Sequence, residues 1–374
     1  MSRVKVRASA VVASVTVAGL LMLAGRSAWA TSVRVVTYNI EADIGGFNTP
    51  RPGLNEVLEA IGTQNVAGVN QPIDILALEE TTSNSTTVAP IVTALNSYYG
   101  AAATYAQSPY QAGEVNNNPS SGNGPNALIY NSHTLTLVAT QGLGVPSNVS
   151  REPVRYEFQP VGGTAAQDFF VYVSHYKSGS TDSDATKRQT EAALIRSNEA
   201  TLAPSARVLY VGDFNTSGSS DLFDNLMASG QGQAIDLLSP SDTASTIYAA
   251  VSSYTDAATG IQYRDDDVFA TQNVLSDARG LQYISGSYRT FGNNGTTASG
   301  KSVNLVSNTS LNNLTGAFAG QQSTILADLT TASDHLPTIA DFSLPTAPEP
   351  GSLAMLALGA AARLGRRVVA QRGG

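Results

Sequence analysis

Nine short apolar runs recur along the chain, each about the length of a strand: Val33–Ile40, Ile73–Leu78, Ala127–Tyr130, Leu135–Val138, Val154–Phe158, Phe169–Ser174, Val208–Val211, Val268–Thr271 and Leu336–Phe342. Most are bounded by Gly, Asn, Pro or Ser, which favours strands over fragments of helix. Helical spacing appears between them. Leu54, Val57, Leu58 and Ile61 fall on one face. So do Ala192, Ile195 and Leu202 of the stretch Ala185–Leu202, which follows the cap-forming sequence Asp182-Ser183-Asp184. Strands and helices intermixed along one chain imply an α/β or α+β fold with helices covering sheet faces. No internal repeat is visible and nothing in 31–345 reads as a linker, so this stretch is expected to be one domain. Tyr105–Pro125 and Gly286–Asn313 read as long loops, the kind of segment that usually carries function.

Both ends differ from this body. Residues 1–30 hold Arg3, Lys5, Arg7 and Arg26 and no acid; they enclose the apolar run Val11–Ala24 and finish Ala28-Trp29-Ala30. That is the layout of a secretory signal removed on export, and the run is short of the roughly 20 residues a membrane span needs. Residues 346–374 contain Pro348-Glu349-Pro350, then Leu353-Ala354-Met355-Leu356-Ala357-Leu358, then Arg363, Arg366, Arg367 and Arg372. This resembles the PEP-CTERM sorting signal of Gram-negative bacteria. The resemblance implies processing by a membrane protease of the exosortase type and an extracellular or cell-surface location.

The charge balance matters once the ends are set aside. Of 21 cations and 29 acids, four cations lie in 1–30 and four cations with one acid in 349–374. The segment between keeps 13 cations and 28 acids, a net of −15. Such a surface is poorly suited to non-specific, phosphate-driven binding of nucleic acid, unless divalent cations offset the repulsion. There is no cysteine, so thiol and disulfide chemistry are excluded.

Five of the apolar runs meet polar residues that a core would not choose. Val35-Val36-Thr37-Tyr38 runs into Asn39, Ile75-Leu76-Ala77-Leu78 into Glu79-Glu80, and Val171-Tyr172-Val173-Ser174 into His175. Val208–Gly212 runs into Asp213-Phe214-Asn215, and Asp334-His335 precedes the last run. Strands that share a direction gather their ends on one sheet edge, the usual place for a ligand. Taken in order, Thr37-Tyr38-Asn39-Ile40, Ala77-Leu78-Glu79-Glu80, Ser150-Arg151-Glu152-Pro153, Val173-Ser174-His175, Gly212-Asp213-Phe214-Asn215, Arg264–Thr271 and Ser333-Asp334-His335-Leu336-Pro337 resemble the endonuclease/exonuclease/phosphatase superfamily. The resemblance spans 33–342. It implies a four-layered α/β/β/α sandwich with the active site at one edge, and metal-assisted attack of water on phosphorus.

Residue by residue, the resemblance makes Asn39 and Glu80 metal ligands, with Asp334 a metal or imidazole-linked ligand; Glu79 is expected to be a solvated strand end. Hard cations prefer such oxygen donors, so Mg²⁺ is expected, with Mn²⁺ or Ca²⁺ as substitutes. Asp213 and Asn215 would sit beside the attacking water. His335 would meet the phosphate as an imidazolium or act as a base. Its carboxylate partner is Asp266, chosen from Asp265-Asp266-Asp267. His175 would protonate the leaving oxygen, and Asn126 stands where the family has a Glu that orients this His. Arg151, Tyr110 and Asn126 would contact phosphate. The substrate is expected to be DNA or RNA, or another phosphodiester. The alternatives are a sphingomyelinase, an inositol or other phosphatase of the same fold, or a decayed surface-matrix protein that keeps only the scaffold.

Overall fold

A computed structural model describes residues 32–45, 47–113, 124–146, 151–215, 225–238, 255–256, 260–261, 263–293 and 308–345. The leader 1–30, the tail 346–374 and Ser150 lie outside them.

All nine apolar runs form strands. In chain order the strands are β1 (Ser32–Asn39), β2 (Ile75–Glu79), β3 (Tyr105–Gln107), β4 (Ala127–Asn131), β5 (Leu135–Gly142), β6 (Val154–Pro160), β7 (Phe169–His175), β8 (Val208–Asp213), β9 (Ile235–Asp236), β10 (Thr255–Asp256), β11 (Gly260–Ile261), β12 (Asp266–Ala270), β13 (Gln282–Tyr283), β14 (Arg289–Thr290) and β15 (Thr338–Ser343). β10 and β11 form a separate antiparallel pair; of the two large sheets, one runs β13-β15-β1-β2-β4-β3, with β14 also on β15, and the other runs β5-β6-β7-β8-β12-β9. Each carries one parallel pair near its centre, β1 with β2 and β7 with β8, among antiparallel neighbours.

Strand alternation sorts the side chains into layers. Val33 and Val35 of β1, Ile75 and Ala77 of β2, Val171 and Val173 of β7 and Leu209 and Val211 of β8 fill a core between the sheets. The other faces go outward. Val36, Tyr38, Leu76 and Leu78 pack against helices α1 (Leu54–Ile61), α2 (Ala89–Tyr99) and, later in the chain, α5 (Gln322–Ala332). Tyr172, Val208, Tyr210 and Phe269 pack against Ala192 and Ile195 of α3 (Asp182–Glu199). The short helix α4 (Gln272–Ser276) follows β12. The result is the α/β/β/α sandwich expected, in one domain.

Local differences from the sequence reading have local causes. Helix α3 starts at Asp182, not Ala185, because Thr181 caps it: the Thr181 side chain accepts from the Asp184 N–H while the Asp184 carboxylate accepts from the Thr181 N–H. The segment Tyr105–Pro125 begins with an edge strand, since β3 pairs with β4. Within Gly286–Asn313, β14 pairs with β15, Tyr288 is buried, and Phe291 enters the core under α1 and α5. No helix among the described residues is long and apolar enough to cross a membrane.

Arg34, on the outward row of β1, is fully buried and solves its own desolvation problem. Its Nε donates to Asp341 Oδ1 at 2.7 Å and its Nη2 to Asp341 Oδ2 at 3.2 Å. Nη1 donates to the Ile61 carbonyl at 2.8 Å and Nη2 to that of Val69 at 3.1 Å, which ties the α1 turn to the sheet. Arg289 shares the same carboxylate at 3.1 Å. Asp341→Ala leaves two guanidinium groups without their counter-ion, and breaking one partner of a buried pair costs about 3–5 kcal/mol. Urea denaturation should show a loss of that size with an unchanged slope; a loss below about 1 kcal/mol would mean the carbonyls alone carry Arg34.

Candidate active site

The polar site is the continuation of the between-sheet core. The inward row of β1 runs Val33, Val35, Thr37 and ends at Asn39; that of β2 ends at Glu79; that of β7 ends at His175; that of β8 ends at Asp213. Strand β12 is antiparallel to β8, so its inward row, Ala270 and Val268, reaches the same edge at its first residue, Asp266. The pairing register aligns these ends: Asn39 lies opposite Glu79, His175 opposite Asp213, and Asp266 opposite Asp213. Apolar rows from both sheets therefore stop at one level, and the next layer is ionisable.

Asp213 joins the two sheets at this level. Its Oδ2 accepts from Asn39 Nδ2 at 3.0 Å, lies 3.3 Å from His175 Nε2 and 3.7 Å from His335 Nε2. Its Oδ1 accepts from the Asn215 N–H at 2.9 Å. Gly212 is required just before it. Its φ is +144°, and a Cβ there would stand 1.8 Å from the Ser174 carbonyl oxygen, so no side chain fits between β8 and β7. Asn215 and Glu80 both adopt left-handed backbone, with φ of 50° and 54°. Non-glycine residues pay strain there, and such conformations concentrate at functional sites.

His335 Nδ1 stands 2.7 Å from Asp266 Oδ2. Ser333 fixes the backbone behind it: its hydroxyl donates to the Asn39 carbonyl at 2.6 Å and accepts from the His335 N–H at 3.0 Å. Of the three consecutive acids, Asp266 faces the imidazole. Asp267 points the other way, 2.6 Å from Arg264 Nη2 and accepting from the Tyr288 hydroxyl at 2.6 Å. Asp265 offers its carbonyl to the Phe214 N–H.

The two histidines are held in opposite states. Burial opposes charge on both. At His335 the carboxylates of Asp266 and Asp213 outweigh burial, so its pKa lies well above the ordinary value. At His175 burial is joined by repulsion from Arg151 and His335, and its pKa falls well below the ordinary value. Burial also raises Asp213 to about 6, against the lowering effect of His335. It raises Glu80 to about 8, with Asp43 adding to the rise and Arg151 opposing it.

The remaining expected residues divide. Glu80 belongs to the site, with Oε1 3.9 Å from His175 Nε2. Asp334 Oδ1 lies 3.8 Å from His335 Nε2 at the more exposed rim. Arg151 is buried and donates from Nη1 to the Tyr176 carbonyl, which also receives Asn215 Nδ2. Tyr110 and Asn126 are drawn to Glu152 instead: the Tyr110 hydroxyl donates to Glu152 Oε2 at 3.0 Å, and Asn126 Nδ2 donates to the Glu152 carbonyl at 3.0 Å. Glu79 is not a solvated strand end. It is fully buried, accepts from the Thr37 hydroxyl at 3.1 Å, and burial together with Asp266 and Asp213 raises its pKa well above normal. Row parity was the available signal, because Ile75, Ala77 and Glu79 share a face. Asp43 was also missed as part of the site, and Ser333, although within the last motif, was given no role.

Among the described residues, five buried carboxyl groups, Asp43, Glu79, Glu80, Asp213 and Asp266, thus share this edge with the guanidinium of Arg151 and the imidazole of His335. That excess of oxygen donors and negative charge suits a hard divalent cation. One atom each of Asp213, Asp266 and His335 also lie within 4.8 Å of one another, a group able to hold an ion. The imidazole of that trio is bound to Asp266; Asn39 Oδ1 accepts from the Glu41 N–H at 3.1 Å and keeps one lone pair for an ion, and Glu80 offers a carboxylate.

The family model described as Endonuclease/Exonuclease/phosphatase family matches residues 36–335. No curated protein matches the sequence. Among solved structures, the human nocturnin catalytic domain superposes with a TM-score of 0.50 at 16% identity, covering 84% of this chain and 94% of that one. An endonuclease/exonuclease/phosphatase from Bacteroides vulgatus gives 0.46 at 14% identity, covering 84% and 99%. Sphingomyelinase C from Streptomyces griseocarneus gives 0.45 at 15% identity, covering 83% and 99%.

The charge state of His335 is open to direct measurement. Its folded pKa exceeds that of a free His, about 6.5. Its contribution to stability is therefore complete below that pH and is lost as pH rises through the folded value. In Asp266→Asn the imidazole titration followed by NMR should move down, and this alkaline loss of stability should shrink. An unmoved titration would show that Asp266 does not hold the imidazolium.

Proposed function

Because the chain belongs to the endonuclease/exonuclease/phosphatase family, we propose that it is a divalent-metal-dependent phosphodiesterase that hydrolyses DNA or RNA internally. The observation that carries this reading is the convergence on Asp213: one carboxylate oxygen lies 3.0 Å from Asn39 Nδ2 of the opposite sheet, 3.3 Å from His175 Nε2 and 3.7 Å from His335 Nε2. Phosphate-ester hydrolysis needs a base for water, a cationic contact for the phosphoryl oxygens and a proton for the leaving oxygen.

Asp213 supplies the first. A carboxylate of pKa about 6 is basic enough to take a proton from water near neutral pH. His335 supplies the second, with Arg151 as a further cation; Asp266 keeps the imidazolium charged and aimed. His175 supplies the third. Burial keeps it neutral in the resting site, and the negative charge of a bound phosphodiester favours its imidazolium. A Mg²⁺, Mn²⁺ or Ca²⁺ ion held by Asn39 and Glu80, with Asp334 at the rim, supplies Lewis-acid stabilisation of phosphoryl charge when bound.

Nucleic acid is favoured over phospholipid by the Gly286–Asn313 segment. Attack on a bilayer calls for exposed apolar or aromatic side chains, and the two aromatic residues in the described part of this segment, Tyr288 and Phe291, are both buried. The intact polar strand ends speak against a decayed scaffold. Export through residues 1–30, surface location and exosortase-type handling of 346–374 complete the proposal. They rest on the sequence of those ends.

The test is hydrolysis of plasmid DNA, RNA, sphingomyelin and inositol phosphates with each metal. Nucleic acid should be cleaved and excess EDTA should abolish cleavage; full turnover in EDTA would rule the reading out. Glu80→Gln should reduce activity and raise the Mg²⁺ requirement. His175→Ala and His335→Ala should each lower kcat about 10²–10⁴-fold with little change in substrate affinity. A nitrophenyl phosphodiester needs no proton on departure, so it should rescue His175→Ala and not His335→Ala. Equal rescue would reverse or dissolve these roles.

A further inference from the structure

Asp43 lies beyond every motif read from the sequence, yet its side chain is fully buried beside Glu80. The backbone puts it there. Pairing of β1 with β2 persists past the strand ends, with the Ile40 N–H on the Glu79 carbonyl at 3.2 Å and the Ala42 N–H on the Glu80 carbonyl at 3.0 Å. Residue 43 is thereby carried to the side of residue 80. The Gly124 N–H then clamps Asp43 Oδ2 at 2.7 Å. The fit is close: a Cβ on Gly124 would stand 3.0 Å from that oxygen and 2.1 Å from the Thr81 carbonyl oxygen. The other carboxyl oxygen, Oδ1, is buried and receives no hydrogen bond from the protein.

A buried carboxylate oxygen without a donor is costly, and more so against a second carboxylate. Two acids in this arrangement either share a proton or share a cation. Arg151 is the nearby positive group that acts on both. It also acts on Asp213 and Glu191, so its single charge is spread over several acids. Glu80 follows the end of β2 in left-handed backbone, with φ of 54°, so it leaves the strand's alternation, and its carboxyl lies beside that of Asp43. Oxygen donors that are fixed, buried and short of hydrogen bonds are the chemistry of a hard-cation seat.

We propose that Asp43 is an additional oxygen ligand for the divalent cation, which it shares with Glu80. This rests on the metal-dependent reading above and names a residue that reading does not contain. Asp43 and Glu80 hold the ion from a loop and a strand end that the β1–β2 pairing locks together.

The test is binding of Mn²⁺ without substrate, by calorimetry and by the rise in Tm that the ion produces in the full chain. Asp43→Asn should weaken Mn²⁺ at least about ten-fold, in the range typical for loss of a supporting group at a metal site. Its Tm in EDTA should equal or exceed that of the unaltered protein, because a buried charge is gone. Should this variant not fold, Asp43→Ser is measured in its place, with the same expected weakening. Unchanged Mn²⁺ affinity in a folded variant, with Glu80→Gln impaired, would overturn the role of Asp43 and leave the metal site at Glu80 standing. That outcome would mean Arg151 balances Asp43. Unchanged affinity in both variants would overturn the Glu80 site as well.

Discussion

Everything at the active edge depends on the alternation of side chains along five strands. A strand gives each sheet face every second residue, so an inward row is a straight line from the apolar core to the edge. In β1, β2, β7, β8 and β12 that line ends in Asn39, Glu79, His175, Asp213 and Asp266. A one-residue slip in any register would exchange the row for its neighbour and turn the polar end toward the helices. The hydrophobic core and the polar site at its edge are therefore one construction. The sheets align the functional groups because they must first align Val35, Ala77, Val173, Val211 and Val268.

Concentrating acids at the end of a core has an electrostatic cost, and the site's properties follow from it. Burial raises Glu79, Glu80 and Asp213 together. The same field from Asp266 and Asp213 holds His335 protonated against burial. His175, packed near Arg151 and His335, goes the other way. One cluster thus keeps one imidazole pushed toward the charged form and another pushed toward the neutral form, both within about 4 Å of the same Asp213 oxygen.

Much of this was legible in the sequence. The strands announced themselves through punctuated apolar runs, and α1 through its 3.6-residue spacing. The ordered motifs located Asn39, Glu80, His175, Asp213, Asp266 and His335, which the structure gathers at one edge. What stayed hidden depended on long-range contacts. Asp43 has no local signature, since only the pairing of β1 with β2 brings it to Glu80. Tyr110 and Asn126 have the residue types of phosphate contacts, but Glu152 captures both. Edge strand β3 is only three residues long, and β14 only two, too short for periodicity to register. Arg34, a lone charge within the apolar run of β1, finds its counter-ion in Asp341, 307 residues away.

The central claim is that Asp213 directs water onto a phosphodiester at this edge. Hydrolysis of bis(nitrophenyl) phosphate with Mg²⁺ in heavy-oxygen water tests it most directly. The account predicts one solvent oxygen in the released nitrophenyl phosphate, and turnover lowered about 10²–10⁴-fold in Asp213→Asn. Undiminished turnover in that variant would contradict it, as would a product that carries no solvent oxygen.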